Sequence, residues 1–222
     1  MIYIDKGDKM RGSVCGALVV LNAAVCVCWA VAPEPAVVPQ PGLWTVDTRF
    51  THPQQIFLRA GPDNKPMRFW YSIITLTNNT GREVDFYPKC ELMTDTFEIT
   101  PAGKSVLPSV FEGVKSRHQS AYPFLESLEQ TGNKILRGED NTKDIAAIWP
   151  DFDSKAKTIK LFITGLSNET AVVDHPIAKD KDGSPLKVFL RKTLELTYAL
   201  EGDPAQRSDA NLVYKAKRWV MR

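Results

Sequence analysis

The sequence predicts a mainly β protein, a sandwich of antiparallel strands with one short helix. Residues 186–200 alternate apolar and polar side chains, which is the period of a strand with one buried face. Further short segments rich in β-branched and aromatic residues are separated by turn residues. Apolar residues at helical spacing occur near residue 110. Together these patterns favour packed antiparallel sheets over a helical fold.

The chain begins with a hydrophobic segment. Lys6, Lys9 and Arg11 precede 19 residues, Val14 to Ala32, that carry no charge. A basic flank before an apolar run is typical of a signal peptide. As a helix this run is also about 28 Å long, close to the width of a membrane core. With Met1 or Met10 as the start, residues 1–32 are therefore predicted to be a signal peptide, cleaved near residue 31, or a single transmembrane helix.

The segment after the hydrophobic run is predicted to be a spacer. Residues 33–43 contain prolines at positions 33, 35, 39 and 41. Proline fixes φ and lacks an amide donor, so such a segment is extended and semi-stiff. The β-sandwich domain is expected to span residues 44–222.

The strands of this domain are predicted in chain order. They cover residues 44–50, 55–60, 68–77, 82–87, 90–100, 145–149, 159–163, 186–200 and 211–221. Residues 68–77 are apolar on both faces, which predicts a central strand. The turn residues at 78–81 predict a hairpin between the strands 68–77 and 82–87. We expect a bend or bulge near Arg191 and Lys192, and we expect the strand 211–221 to return beside the strand 186–200.

A long insertion, residues 101–144, interrupts the strands. Leu107, Val110, Phe111 and Val114 follow helical spacing, with Ser105 as the expected cap and Pro108 in the first turn. The polar stretch "TGNKILRGEDNTKD" at the end of the insertion is predicted to be a loop.

Several stretches of this domain resemble an uncharacterised family of exported proteins from planctomycete-type bacteria. They are "FWYSIITLTNNTGREVDFYPKCELMTDT", "YPFLE", "GEDN", "VFLRKTLELTY" and "RWVMR". Within the first, "TLTNNTGREVDFYP" is similar to immunoglobulin-like modules of secreted bacterial proteins. The resemblance covers most of residues 44–222. It implies an immunoglobulin-like antiparallel β-sandwich outside the cytoplasm, and it brings no active residues with it.

Charge and cysteine content narrow the function classes. With 28 basic and 26 acidic residues the net charge is +2, so the concentrated basic excess typical of nucleic-acid binding is missing. Three of the four cysteines lie in the hydrophobic segment, and removing that segment leaves Cys90 unable to form an intramolecular disulfide. We expect Cys90 to be a buried, unreactive thiol.

No catalytic residues are predicted. The histidines are His52, His118 and His175, and no nucleophile motif places a serine or Cys90 beside any of them. His118 falls four residues after Val114, on the apolar stripe of the helix. A hydrolytic site would therefore need an arrangement that the sequence does not indicate.

No metal or cofactor site is predicted either. Asp180, Asp182 and Gly183 suggest a calcium loop, but positions 178 and 189 hold Ala178 and Phe189 instead of ligands, which favours a plain turn. The other clustered carboxylates are expected to be solvated. They are Glu139, Asp140, Asp144, Asp151 and Asp153.

Two further groups have a structural and a binding interpretation. Phe69, Trp70 and Tyr71 suit a stacking platform for sugar or peptide, but their apolar neighbours favour core packing. The basic residues at the end of the chain suit contact with an anionic surface, although an edge strand carrying lysines is the simpler interpretation. They are Lys215, Lys217, Arg218 and Arg222.

The functional expectation is a non-enzymatic, exported binding or scaffolding module of the cell envelope, in the periplasm or elsewhere outside the cytoplasm. Its partner would be an envelope protein or a surface ligand, with no nucleic acid, and it would touch the membrane only through an uncleaved N-terminal segment. Two alternatives stay open. One is a membrane-anchored accessory domain of an envelope complex, and the other is a hydrolase with a site in the insertion 101–144.

Overall fold

A computed structural model describes residues 36–38, 41–60, 65–203 and 212–222. It is mainly β, with 57% strand and 6% helix and several antiparallel sheets, which confirms the mainly β, antiparallel part of the predicted fold class. The elements are β1 Ala36–Val37, β2 Asp47–Phe50, β3 Gln54–Ala60, β4 Lys65–Asn78, β5 Val84–Asp85, β6 Lys89–Thr94, β7 Ile99–Pro101, α1 Pro108–His118, β8 Glu126–Ser127, β9 Lys134–Ile135, β10 Gly138–Pro150, β11 Thr158–Thr164, β12 Thr170–Lys179, β13 Pro185–Leu200 and β14 Leu212–Met221.

Two larger sheets form the body. The first has the order β1-β12-β13-β11-β6-β7, with β14 also on β13, and the second has the order β2-β4-β10-β8, with β3 also on β4. The pairings are antiparallel except that of β8 with β10. A small third sheet joins β5 to β9.

The hydrophobic residues form two cores. The main core joins apolar side chains of both larger sheets, among them Trp70, Ile145, Leu161 and Leu196. The second core lies on the other face of β4 and β10, where α1 covers Phe69, Tyr71 and Ile73. Phe69, Trp70 and Tyr71 are each at most 1% exposed, so the core-packing interpretation of this triplet is confirmed, and β4 is central as predicted.

The pairing of β13 with β14 confirms the predicted return of the last strand. The irregularity in that pairing lies between Thr197 and Tyr198, which differs from the predicted position at Arg191 and Lys192. At Arg191 and Lys192 the strand instead changes neighbour: β12 pairs up to Arg191 and β11 pairs from Leu194 onward.

The predicted hairpin of residues 68–87 is wrong. β4 pairs with β2, β3 and β10, whereas β5 pairs with β9. Asn78, which is fully buried, explains the change of direction. Its amide donates to the carbonyl oxygens of Arg82 and Ile135 at 2.8 and 2.9 Å. These bonds tie the chain after β4 to β9 rather than back to β4.

Three local predictions need correction. The helix is present at Pro108–His118, but Leu107 is its N-cap residue and makes no side-chain cap bond, while Ser105 has a φ of 60°. Part of the predicted loop in the insertion is strand, because β10 begins at Gly138. The predicted strand 90–100 is two strands, β6 and β7, which pair with each other across a turn where Phe97 has a φ of 66°.

The predictions for residues 1–32 lie outside the described residues. Of the spacer 33–43, residues 36–38, 41, 42 and 43 are described, and Ala36–Val37 pairs with β12. Among the helices that are described, none has the length and apolar character needed to cross a membrane.

Candidate functional site

A cluster of polar side chains surrounds the hydroxyl group of Tyr71. The Tyr71 hydroxyl lies 2.9 Å from Gln54 Oε1, 2.9 Å from His118 Nε2 and 3.3 Å from Arg117 Nη1. β4 supplies Tyr71, β3 supplies Gln54, and α1 supplies Arg117 and His118. These four residues, which we call the Tyr71 cluster, form because the apolar stripe of α1 packs on the second sheet and brings the end of the helix over Tyr71.

The donor and acceptor atoms of the Tyr71 cluster determine where its protons lie. Gln54 Oε1 only accepts, so the Tyr71 hydroxyl donates to it. Tyr71 then accepts from His118 Nε2, which must carry a proton. Burial, and then the charge of Arg117, lower the pKa of His118, because both disfavour a second positive charge. The neutral form of the His118 imidazole therefore predominates at neutral pH.

A polar groove lies beside this cluster and is built by the insertion and the second sheet together. Its volume is about 440 Å³. The insertion contributes Ala121, Tyr122, Thr142 and Asp144, and the sheet region contributes Arg49, Phe50, Thr51 and Thr75. The ring of Tyr122 lies 6.0 Å from that of His118. We call this surface the Arg49 groove.

The floor of the Arg49 groove is one row across three strands. Arg49 on β2 is opposite Thr75 on β4, and Thr75 is opposite Asp144 on β10. Thr75 donates to Asp144 Oδ1 at 2.6 Å, so the carboxylate has a fixed position. Arg49 is exposed and makes no ion pair within 4 Å to a described carboxylate. The row thus presents a guanidinium and an anchored carboxylate on either side of Thr75.

The other two histidines lie elsewhere. His52 Nδ1 is 3.2 Å from the hydroxyl of Tyr198, in a group of rings that includes Phe50 and Tyr214. Burial, and then Tyr214, raise the pKa of Tyr198. His175 Nδ1 accepts from the amides of Ile177 and Ala178 at 3.2 and 2.8 Å, which is a local backbone contact. The structure therefore does not bring the three histidines together.

Cys90 lies in the main core and is 1% exposed, as predicted. Burial, and then the charge of Glu91, raise the pKa of its thiol to about 12. A thiol that holds its proton so strongly is a poor nucleophile at neutral pH.

The acidic residues fall into separate places. Asp180 and Asp182 accept amides of Lys181 and Ser184 at 2.6 and 3.0 Å, which confirms the predicted turn. Asp151 binds Arg68 and the indole of Trp70, and Asp153 accepts the amide of Lys155. Glu139 and Asp140 are exposed. Within the described ranges, no three His, Cys, Asp or Glu side chains are grouped to hold a metal ion.

The basic residues at the end of the chain make contacts along β14 and at the residue that follows it. Arg218 forms two hydrogen bonds to Glu195 at 3.0 and 3.1 Å, Arg222 pairs with Glu91 at 2.7 Å, and Lys217 lies over the ring of Phe50. Burial acts to raise the pKa of Glu195, but Arg218 and Lys160 outweigh it and the pKa is lowered. The exposed, lysine-bearing strand agrees with the simpler of the two sequence interpretations.

Sequence reasoning did not find the Tyr71 cluster or the Arg49 groove. The usable signal was the position of His118 on the apolar stripe of the helix, which places its ring toward the sheet. The partners Tyr71 and Gln54 come from strands more than 40 residues away, and their register is a tertiary property.

Comparisons of the chain with protein-family models, with curated proteins and with solved structures find no match. The function must therefore be argued from the geometry of this chain.

Proposed function

We propose that this protein is a non-enzymatic binding or scaffolding module of the cell envelope, an exported immunoglobulin-like β-sandwich that holds its partner in the Arg49 groove. Export is supported by the basic flank and apolar run of residues 6–32. The sandwich is supported by two antiparallel sheets around one core. The immunoglobulin-like assignment rests on the sequence resemblance given above.

The observation that carries the proposal is the row Arg49–Thr75–Asp144. The backbones of all three residues lie in strands, and Thr75 holds the Asp144 carboxylate in position, which lowers the entropy lost when a partner binds that group. A donor and an acceptor in one row of strands suit a polar segment of a protein surface. Tyr122 adds an aromatic contact of the kind that is enriched at interfaces.

Photo-crosslinking in intact cells tests this site. A photoreactive amino acid at Ala121, which is exposed at the groove, should capture one defined envelope protein. The same amino acid at Lys155, which is exposed on the loop before β11, is the matched control and should not. Arg49→Gln and Asp144→Asn should each reduce capture from position 121 by about tenfold, since each removes one charge-assisted hydrogen bond. Equal capture from both positions would contradict the proposal.

The two alternatives differ in other measurements. N-terminal sequencing of protein recovered from cells should begin near residue 31 if residues 1–32 are a signal peptide. An intact N-terminus in the membrane pellet would favour the anchored accessory domain. The hydrolase alternative requires turnover of ester, peptide, glycoside or phosphate substrates that is lost in His118→Gln, and we expect no such turnover.

A further inference from the structure

A second cleft lies at the base of the β12–β13 hairpin, away from the Arg49 groove. Its volume is about 270 Å³. Two aromatic residues, Trp44 and Tyr87, line it together with Asp85 and Arg191. The remaining lining residues are Gly165, Ser167, Asn168 and Thr170. We call this surface the Trp44 cleft.

Backbone contacts position the two chain segments that carry these aromatic residues. The amide of Trp44 donates to Asn168 Oδ1 at 2.8 Å, and its carbonyl oxygen accepts from Ser167 Oγ at 2.8 Å. The Trp44 side chain is half-buried against the main core. On the other side, Gly165 has a φ of 88°, and a Cβ there would lie 2.6 Å from the carbonyl oxygen of Tyr87. A glycine at this position therefore lets the Tyr87 segment approach closely.

Two opposite charges line the cleft without a close ion pair to a described residue. Arg191 is fixed at its backbone by bonds with Arg222 at 2.8 and 3.1 Å. Neither Arg191 nor Asp85 makes an ion pair within 4 Å to the residues that the structure describes. Both side chains are exposed. The cleft thus offers a guanidinium donor and a carboxylate acceptor. The carboxylate is also opposite Lys134 on β9, whose pKa is raised first by Glu83 and then, less, by Asp85.

We propose that the Trp44 cleft binds one sugar ring of a neutral glycan. A pyranose has an apolar C–H face that packs against aromatic rings, which Trp44 and Tyr87 provide. Its rim carries hydroxyl groups that both donate and accept. Arg191 would donate to such hydroxyls and Asp85 would accept from them.

The two opposite charges and the size of the Trp44 cleft favour a neutral sugar ring over other ligands. Arg191 would attract an anion and Asp85 would repel it. Asp85 would attract a cation and Arg191 would repel it. A zwitterionic peptide also has no net charge, but its two charges must match the separation of Arg191 and Asp85. The hydroxyl groups around a sugar ring can bind both Arg191 and Asp85 without matching one fixed separation. The volume of about 270 Å³ leaves space for about one ring.

Titration of the full chain with methyl pyranosides of glucose, galactose, mannose and N-acetylglucosamine tests the proposal. At least one should bind with a dissociation constant of about 10 mM or lower. Binding should change the tryptophan fluorescence. This change should be lost in Trp44→Phe, because Trp44 is the tryptophan that lines the cleft. Arg191→Gln and Tyr87→Ala should each weaken binding by about tenfold or more.

Matched variants outside the cleft show whether a loss of affinity comes from the cleft itself or from a general effect on folding. Lys181→Gln removes an exposed charge in the β12–β13 turn, and Phe97→Ala removes a ring that is 82% exposed. Both should keep wild-type affinity. The proposal is overturned if no pyranoside binds, if binding persists equally in Arg191→Gln and Tyr87→Ala, or if the zwitterion Gly-Gly binds in the cleft instead. None of these outcomes depends on the crosslinking at Ala121.

Discussion

His52, His118 and His175 show how far neighbours decide the role of one residue type. His118 donates from Nε2 to a buried hydroxyl and has a lowered pKa. His175 accepts two backbone amides. His52 is exposed beside the buried Tyr198. His118 reaches the Tyr71 hydroxyl because it lies at the end of α1, which packs over that part of β4.

Cys90 gives a prediction at the same scale. Its pKa rises from 9.0 to about 12, so the thiolate fraction at neutral pH falls about 1000-fold. Alkylation with iodoacetamide, followed by mass spectrometry of the Cys90 peptide, should show very slow modification of the native protein and rapid modification in urea. A cysteine introduced at exposed Ser154 serves as the reference and should react at once. Rapid native labelling of Cys90 would contradict its burial.

At this scale the sequence predicts burial better than it predicts partners. Apolar neighbours on both sides of Trp70 predict a core residue, and Trp70 is fully buried. Nothing near Tyr71 in the sequence indicates that its hydroxyl meets Gln54, Arg117 and His118. The reason is that a partner depends on the register of distant strands, whereas burial follows from local pattern.

Among the elements, β13 and β10 show why alternation predicts some strands and misses others. In β13 apolar residues repeat at every second position, and three of them, Leu194, Leu196 and Tyr198, lie in the main core. The first half of β10, "GEDNTK", has no buried side chain, and the strand pairing there is irregular between Gly138 and Lys143. Without a buried face there is no period to detect. The sequence therefore predicts a loop where the chain forms a strand.

Asn78 provides the prediction for element connections. Asn78→Ala removes the donors that satisfy the carbonyl oxygens of Arg82 and Ile135, and it also removes the acceptor for Thr80. Since these groups lie near or within the core, we expect a loss of about 2 kcal/mol or more in the free energy of unfolding. Urea denaturation followed by tryptophan fluorescence measures it.

Asn79 is the matched control for that variant. Its amide donates to Asp47 at the exposed surface, so Asn79→Ala should change the free energy of unfolding by at most about 0.5 kcal/mol. Equal effects of the two variants would mean that the buried amide of Asn78 does not hold the chain reversal.

For the whole molecule, β4 is one of two neighbouring strands, with β10, that contribute residues to both cores. Trp70, Ile74 and Leu76 face the main core, and Phe69, Tyr71 and Ile73 face the helix. The sequence shows this directly, because a strand that is apolar on both faces must be covered on both. It does not show that the insertion supplies the second cover, since α1 must fold back over β4 residues that lie about 40 positions earlier in the chain. The Arg49 groove depends on that return and could not be predicted.

Acid sensitivity is a prediction for the whole molecule. His118 and Glu195 both have a pKa that is lower in the folded protein than the ordinary values of 6.5 and 4.5. The unfolded chain therefore binds protons first as the pH falls, and the free energy of unfolding decreases. The contribution of His118 is present above pH 6.5 and is lost below it. That of Glu195 is present above pH 4.5 and is lost as the pH falls through its lower folded value.

Urea denaturation between pH 7.5 and 3 measures this profile, and two charge-neutral variants assign its parts. His118→Gln keeps an N–H donor for Tyr71 but cannot titrate, so the decline just below pH 6.5 should become shallower. Glu195→Gln should flatten the decline below pH 4.5, although it also weakens the bonds from Arg218 and Lys160 at every pH. The slope, rather than the absolute stability, is the readout, because a slope reports the difference in bound protons between the two states. Unchanged slopes in both variants would show that other groups control the acid response.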